Sequence, residues 1–334
     1  MDTTSLTDLD LPWVEKYRPQ SLAEIASQSV TIQTLQKFIE KDSIPHLIFA
    51  GPAGTGKTST AYSLIYDVLG VKKLSQNIIL ERNASDNVRM NTRDEIKNFV
   101  NHVGIFQPKY KFVILDEADL IPRAMQNAFR RIIEMAPANV KFIFMCNYIE
   151  KIIDPILSRC AIFRFYPLPF EPFSQQIDKI CRNEKISIND EIKNAIYYIS
   201  QGDMRQAINL LQMAVSLSYE DGSYAENRMI KPAVLYEISG FLPENAFDRF
   251  CSLLYNKKIM DMKKILADHP SYSSRGLFRQ ILNWLALQPL KPVQKEIMVN
   301  LMGEFDYRLT LASDPSIQMD GFLSELIIAL EENS

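Results

Sequence analysis

The sequence has few residues from which a metal site or a disulfide framework could be built. Its 334 residues include only four cysteines and three histidines. No two cysteines form a Cys-x-x-Cys pair, and the histidines lie far apart. Structural zinc sites need closely spaced ligands, and small secreted domains pair their cysteines. The sequence therefore argues against both features, and we expect a reducing compartment.

Long apolar runs, targeting signals and strong net charge are missing as well. No run of eighteen apolar residues occurs, so no membrane-spanning helix is predicted. The first five residues are polar and acidic and do not have the pattern of a signal peptide. The net charge is −3. Any contact with nucleic acid must therefore come from a local basic surface and not from the overall charge.

A phosphate-binding loop occupies residues 51–58, which read Gly-Pro-Ala-Gly-Thr-Gly-Lys-Thr. The apolar run 46–50 before it predicts a buried strand, and the segment 59–65 after it predicts a helix, as the motif requires. Glycines let backbone N–H groups turn toward phosphate oxygens, and the helix presents its N-terminus to the anion. The alternative is a glycine-rich turn without function, but every fixed position of the motif is present.

Within this loop the side chains have separate predicted roles. Lys57 supplies a positive charge for the β- and γ-phosphates, and Thr58 offers a hydroxyl to Mg²⁺. The predicted nucleotide contacts cover the whole loop and the residue after it: Gly51, Pro52, Ala53, Gly54, Thr55, Gly56, Lys57, Thr58 and Ser59. The sequence therefore predicts ATP and Mg²⁺ as cofactors.

An apolar run that ends in carboxylates supplies the second half of such a site. Residues 111–115 predict a buried parallel strand, and α/β sheets bind ligands at the C-terminal edge of such strands. Asp116 would hold Mg²⁺, and Glu117 would polarise the attacking water as a general base. A third strand, 140–146, ends at Asn147, which could orient water near the γ-phosphate. Strand ends of this kind are often only the starts of loops, but the phosphate loop favours the catalytic interpretation.

Apolar strands and helical patterns alternate over residues 1–165, which predicts a parallel sheet covered by helices. Prolines at positions 167, 169 and 172 indicate a domain boundary. From residue 173 onward the apolar residues recur at helical spacing, and a second boundary is expected near residue 232. The predicted fold class is α/β plus all-α. The domains are a nucleotide-binding domain at 1–166, a small helical domain at 167–232 and a larger helical domain at 233–334.

Five further strings occur in a fixed order around these motifs, at residues 11–19, 83–86, 126–131, 158–160 and 202–205. Together they closely resemble the small subunits of eukaryotic and archaeal replication factor C, the AAA+ sliding-clamp loader. The resemblance is specific from residue 11 to about residue 240 and weaker beyond it. It implies an AAA+ P-loop domain, a helical lid domain and a C-terminal helical collar that joins subunits.

The resemblance assigns further residues to the nucleotide site. Asn147 matches the first sensor, and Arg205 matches the second sensor, a lid-domain arginine that touches the γ-phosphate. Arg159 matches the arginine finger, which acts in trans on ATP bound by the neighbouring subunit, and a planar guanidinium suits this role. Read without the family, Arg159 would be a solvated loop residue. Four residues match the N-terminal segment that packs on adenine: Val14, Tyr17, Arg18 and Pro19.

The function implied by the resemblance is that of an ATPase subunit in a hetero-pentamer with the other replication factor C subunits. Such a complex opens the sliding clamp PCNA and loads it onto primer–template DNA in the nucleus, during replication and repair. DNA phosphates would be contacted near Arg89, Arg93 and Arg123, unless these arginines belong to solvated faces. The stretch 103–106 would face the clamp or, alternatively, pack in the core.

Two other functions remain open. Another AAA+ machine, such as a branch-migration helicase, is disfavoured by the string 158–160 and by the C-terminal helices. A scaffold that binds ATP but hardly hydrolyses it is disfavoured by the intact Lys57, Thr58, Asp116 and Glu117.

One departure from the family pattern affects the loop 25–28, which lacks the glycine usual before Gln28.

Overall fold

The computed structural model describes residues 11–71, 77–84, 90–101, 108–217 and 230–331. Arg89 and the stretch 103–106 lie outside the described residues, as do the last two residues of the string 83–86. The chain forms two compact units. The first comprises residues 1–184 and 200–209, and the second comprises residues 185–199 and 210–334.

A parallel sheet of five strands lies at the centre of the first unit, within the described part of the chain. The strand order is β2-β3-β4-β1-β5, so that β2 and β5 form the edges. Every pairing in it is parallel. The strands are β1 (His46–Ala50), β2 (Ile79–Asn83), β3 (Lys111–Asp116), β4 (Val140–Cys146) and β5 (Cys160–Arg164). All five strands therefore point their carboxyl ends toward one edge of the sheet, where the loops that follow them meet.

Helices bury both faces of this sheet: α2 (Ser29–Glu40) and α3 (Lys57–Leu69) pack on one face, and α4 (Met90–Asn101), α5 (Arg123–Met135) and α6 (Asp154–Leu157) pack on the other. The first unit also contains α1 (Trp13–Lys16) and α7 (Phe170–Asn183). Successive residues of a strand point to opposite faces. Val113 and Leu115 of β3 accordingly pack with Phe129 of α5, whereas Phe112 and Ile114 pack with the side of the core that contains Leu64 of α3. Coverage on both sides explains why the central strands are continuous apolar runs.

The second unit is helical throughout its described residues. Its helices are α8 (Asp190–Ser200), α9 (Met204–Leu217), α10 (Pro232–Ser239), α11 (Glu244–Tyr255), α12 (Ile259–Asp268), α13 (Ser274–Leu287), α14 (Pro292–Leu311) and α15 (Pro315–Glu331). The last residue of α8 and the first six of α9 belong to the first unit. Proline opens α10, α14 and α15, where its missing N–H leaves no intrahelical bond unmade. The core is rich in aromatic side chains, including Phe250, Phe278, Phe305 and Phe322.

The structure confirms the predicted strands at 46–50 and 140–146, and it extends the predicted strand at 111–115 by one residue. It also confirms the change at residue 173, because no strand follows β5 in the described residues. The domain limits at 166 and 232 remain predictions. None of the described helices has both the length and the apolar character needed to cross a membrane.

His46 links two neighbouring strands by a side-chain contact. Its Nδ1 accepts a hydrogen bond from the backbone N–H of Phe142 at 3.1 Å, and its ring packs edge-on against the Phe142 ring. Burial and, to a smaller extent, the charge of Lys141 lower the pKa of His46 from its usual 6.5 to about 4. An accepting Nδ1 must be unprotonated, so the native structure holds this imidazole in its neutral form.

We predict that His46 makes the fold sensitive to mild acid. The unfolded chain takes up this proton near pH 6.5, but the folded chain does so only near pH 4, so stability falls as the pH decreases through that window. Between about pH 7.5 and about pH 5.5 the loss should be up to about 1 kcal/mol, since partial solvent exposure reduces the effect. His46→Asn keeps an acceptor for Phe142 and cannot titrate. Urea unfolding at both pH values should show a smaller acid loss for this variant, and an equal loss would contradict the assignment.

Candidate nucleotide site

The loop between β1 and α3 is held in a conformation that depends on glycine. Gly54 and Gly56 have φ values of +67° and +95°, which side-chain-bearing residues rarely adopt. A Cβ on Gly54 would also lie 1.7 Å from Oδ1 of Asp203. Gly51 N donates to Cys146 O at 3.1 Å, which ties the start of the loop to the end of β4. Residues 53–59 line a cleft, and the N-terminus of the 13-residue α3 opens into it.

Lys57 is buried at the first position of α3, and its ammonium lies among neutral oxygens. Nζ donates to Gly51 O and Pro52 O, both at 2.7 Å, and to Asn147 Oδ1 at 3.2 Å. Burial lowers the pKa of Lys57, and the negative charge of Asp116 opposes this effect. An ammonium paired with an anion gains a direct charge–charge attraction that neutral oxygens do not provide. An incoming anion could therefore displace these acceptors with a gain in free energy.

The C-terminal end of β3 supplies two carboxylates to the same cleft. Asp116 Oδ1 accepts from the backbone N–H of Glu117 at 2.8 Å. Glu117 itself has φ of +50°, a left-handed conformation that costs about 1 kcal/mol or more in a residue with a side chain. Asp116, Glu117 and Asn147 all line the cleft. Strain of this kind concentrates at functional sites, where the surrounding structure holds it in place.

The N-terminal arm forms another wall of the cleft. Val14, Tyr17, Arg18 and Pro19 all line it. The arm is attached to α3, because Ser63 Oγ donates to Pro19 O at 3.1 Å and Asp67 Oδ2 accepts from Leu22 N at 2.9 Å. It is also attached to the end of α7, because Glu184 Oε1 accepts from Tyr17 Oη at 2.5 Å and pairs with Lys16 at 2.6 Å. Burial and this hydrogen bond to Glu184 raise the pKa of Tyr17.

The loop that precedes α2 has a backbone conformation that favours glycine at position 27. Ser27, at the position where the resemblance leads one to expect glycine, has φ of +68°. Gln28 follows with φ of +61°, and its Nε2 donates to Tyr166 O at 2.8 Å. Ser27 thus adopts a left-handed backbone that glycine would adopt without strain. Ile25 and Ala26, just before it, still line the cleft.

The start of α9 is hydrogen-bonded directly to the phosphate loop. Met204 N donates to Gly54 O at 3.2 Å. Asp203 caps the helix, since its Oδ1 accepts from Gln206 N at 2.9 Å. Leu168 N donates to Gly202 O at 3.1 Å, which fixes the same turn to the segment after β5. Arg205, in the first turn of this helix, lines the cleft.

Three predicted site arginines within the described residues lie outside this cleft. Arg93 and Arg123 are exposed on α4 and at the start of α5. Arg159 lies between α6 and β5, where Nη2 pairs with Glu134 Oε1 at 2.5 Å and Nη1 donates to Pro155 O at 2.7 Å. Of the predicted phosphate-loop residues, Gly51 and Pro52 also lie outside the set that lines this cleft. Their carbonyl oxygens instead accept hydrogen bonds from Lys57.

The cleft contains residues that sequence reasoning missed. Leu168 and Gln176 belong to the segment after β5 and to α7, and Met204 and Ile208 belong to α9. Met204 and Ile208 are four residues apart on one helix face, beside Arg205. That spacing next to the string 202–205 is a signal that could have identified them.

Comparison with known proteins agrees with this geometry. Residues 47–168 match the family described as ATPase family associated with various cellular activities (AAA), and residues 175–215 match the RCF1/5-like AAA+ ATPase lid domain. The replication factor C small subunit of Picrophilus torridus is 38% identical over 94% of this chain and 96% of its own. Replication factor C subunit 3 of Schizosaccharomyces pombe is 35% identical, over 95% of this chain and 90% of its own.

Solved structures provide a more distant likeness. The RuvB Holliday junction branch migration motor of Thermotoga maritima superposes with a TM-score of 0.54 at 16% identity, over 75% of this chain and 85% of its own. A point mutant of RuvB gives a TM-score of 0.57, over 83% and 93% of the two chains. At this identity the likeness shows the fold alone. It therefore does not favour branch migration as the function.

The fold, the phosphate loop and the family match define this chain as an AAA+ ATPase that binds nucleotide. Relatives at 33–38% identity cover nearly its whole length. The chain belongs to the replication factor C small-subunit family. It is an ATPase subunit of a multi-subunit clamp loader, as its motifs predict.

We predict that Lys57→Ala weakens nucleotide binding and leaves the fold intact. A hydrogen bond to a charged group contributes about 1.5–3 kcal/mol, so affinity should fall about 10- to 100-fold. The loop is held mainly by its backbone, so the melting temperature should change little. Titration with a fluorescent ATP analogue measures the affinity, and Lys37→Ala, on an exposed position of α2, is the control. Equal affinities in the two variants would contradict the role of Lys57.

Proposed function

We propose that the chain binds ATP with Mg²⁺ in this cleft and hydrolyses it with help from a neighbouring subunit. The proposal depends on one observation, that predicted site residues from four separate segments line the same cleft. The phosphate loop, the carboxylates after β3, the amide after β4 and the arginine of α9 all face one cleft. The binding of ATP would then be coupled to the shape of an assembly, because its phosphates contact two subunits.

The cleft offers a suitable environment for each part of ATP. Backbone N–H groups of residues 53–59, the N-terminus of α3 and the Lys57 ammonium suit the phosphates. The apolar and aromatic surfaces of Val14 and Tyr17 suit adenine, and so does Ile25 of the loop before α2. Arg18 lines the same region and can reach ribose or phosphate. The second-sensor role of Arg205 is supported by its place in the cleft at the start of α9.

The donor set at the sheet edge fits a magnesium ion. Thr58 provides a hydroxyl and Asp116 a carboxylate, and Mg²⁺ prefers oxygen ligands of these kinds together with phosphate oxygens. When bound, Mg²⁺ neutralises charge on the phosphates during transfer. Glu117 is the proposed general base for the attacking water, and Asn147 is the proposed first sensor that orients it. Both line the cleft next to Asp116.

Arg159 is proposed to complete the site of the neighbouring subunit. It lies outside its own cleft, which supports action in trans. Its ion pair with Glu134 is partly exposed, with 36% of the Arg159 side chain accessible. Exposed pairs of this kind contribute about 1 kcal/mol or less. Exchange of Glu134 for a phosphate oxygen would therefore have a small energetic cost.

We further propose the partners and setting of the chain. The clamp would be PCNA, the nucleic acid would be primer–template DNA, and the other members of a hetero-pentamer would join through a collar at 233–334. The proposed domains before it are the AAA+ domain at 1–166 and the lid at 167–232. Exposed Arg93 and Arg123 support phosphate contacts. The strings 11–19 and 146–148 favour the eukaryotic small subunit numbered three in budding yeast and five in humans, and hence the nucleus.

We predict that Glu117→Gln retains ATP but slows its hydrolysis. Loss of a general base typically reduces the rate about 10²–10⁴-fold, whereas the isosteric amide leaves the cleft's shape unchanged. Single-turnover hydrolysis, measured in an assembly in which the other sites are inactive, tests this. Normal turnover with normal ATP binding would assign the base to another residue.

Arg159→Ala should leave ATP binding by this chain unchanged and slow hydrolysis at the neighbouring site. Loss of an arginine finger reduces phosphoryl transfer by about 10³–10⁵-fold in related systems. The measurement uses complexes in which only the neighbouring site can hydrolyse.

Arg182→Ala is the matched control for that substitution. Arg182 is also exposed, and like Arg159 it donates to the carbonyl four residues earlier. The control should leave turnover at the neighbouring site intact. Equal turnover in the Arg159 and Arg182 variants would exclude the finger role, and so would a loss confined to ATP binding by this chain.

A further inference from the structure

Asn147 lies directly after Cys146, the last residue of β4 that the sheet pairs. The paired register of β3 and β4 ends at Leu115 and Phe144, two residues before β4 itself ends at Cys146. Asn147 therefore lies beyond the ladder with β3, and it is exposed. A side chain that must orient water to within a fraction of an ångström needs some other support.

That support comes from the turn that follows β3. Glu117, with its left-handed backbone, leads into a 3-10 turn at Ala118–Leu120. The turn buries Asp119, which is 8% exposed. Its Oδ1 accepts a hydrogen bond from the backbone N–H of Asn147 at 3.2 Å. A buried carboxylate is unfavourable unless it has such partners, so its presence here calls for a specific role.

The contact continues from Asn147 to the phosphate-binding lysine. Asn147 Oδ1 accepts from Lys57 Nζ at 3.2 Å. Asp119 holds the backbone of Asn147, and the side chain of Asn147 contacts Lys57. The carboxylate of Asp119 also raises the pKa of Lys57, as one of several smaller influences beside the dominant effect of burial. A hydrogen-bonded chain thus runs from the turn after β3 to the phosphate loop.

We propose that Asp119 is a positioning residue for hydrolysis, which acts through Asn147. Asp116, Glu117 and Asp119 belong to one short segment, so the bond from Asp119 sets the distance between Asn147 and the carboxylates that precede it. The inference rests on the proposed function, because it assumes that Glu117 and Asn147 act on the same water. Pairing with β1 holds β4 as far as Cys146, and the bond from Asp119 extends this support to the backbone of Asn147 itself.

Two substitutions separate the hydrogen bond from the charge. Asp119→Ala removes the acceptor, whereas Asp119→Asn keeps an oxygen at the same place and removes the charge. In a complex where only this site hydrolyses, Asp119→Ala should lower turnover about 10- to 100-fold, since misplacement by about 1 Å can have an effect of this size. The affinity for an ATP analogue should change less than about threefold. Asp119→Asn should keep most of the turnover.

A double-mutant cycle with Asn147→Ala tests the route of the effect. If Asp119 acts through Asn147, Asp119→Ala should reduce turnover little further in the Asn147→Ala background. A full additional loss would overturn the inference, and so would an Asp119→Asn variant as slow as Asp119→Ala. The inference would also be overturned if Asp119→Ala lowered the melting temperature and reduced ATP affinity and turnover together.

Glu117→Gln in the same complex separates this inference from the proposed function. If Glu117→Gln hydrolyses normally, the proposed chemistry of the site fails. If Glu117→Gln is slow and Asp119→Ala is not, the site stands and only the positioning role of Asp119 is wrong.

Discussion

The site depends on the hydrogen bonds that surround the buried ammonium of Lys57. A charged group removed from water has to be surrounded by oxygens, and here they come from elements that are distant in sequence. Gly51 and Pro52 supply carbonyls from the end of β1, and Asn147 supplies an amide from the end of β4. The carboxylate of Asp116 opposes the effect of burial from the end of β3. Three adjacent strands must therefore keep their order for this side chain to keep its partners.

The same loop is attached to an element outside the sheet. Gly54 O accepts from Met204 N, and the Asp203 carboxylate packs against the Cα of Gly54 so closely that no Cβ would fit. The helix that carries Arg205 thus starts on the phosphate loop itself. A change in the loop on nucleotide binding would act on α9 without an intermediate residue.

The geometry of a parallel sheet explains why the sequence could predict that the phosphate loop and the strand ends meet in one cleft. A parallel sheet brings strand ends to one edge, so the residues after three apolar runs had to meet there. The wall of the cleft that the N-terminal arm forms was less accessible to such reasoning. Tyr17 and Glu184 are 167 residues apart, and no periodicity connects them. Gln176 and Leu168 line the cleft because of how α7 packs, which spacing along the chain does not encode. The left-handed Ser27 was visible only as a missing glycine.

Arg159, the residue proposed to complete the site of a neighbouring subunit, has partners of its own within this chain. Its guanidinium binds Glu134 at the far end of α5, the helix whose first residue is the exposed Arg123. Arg130 pairs with the same Glu134 oxygen at 3.1 Å, and both arginines lower the pKa of Glu134, Arg130 more strongly. The carboxylate therefore remains charged and retains Arg130 as a partner when Arg159 leaves. Release of Arg159 does not strand an unpaired buried charge, because Glu134 is partly exposed. In its proposed role, Arg159 would be held in this way in the free subunit and would transfer to a phosphate in an assembly, where charge-assisted hydrogen bonds favour the exchange.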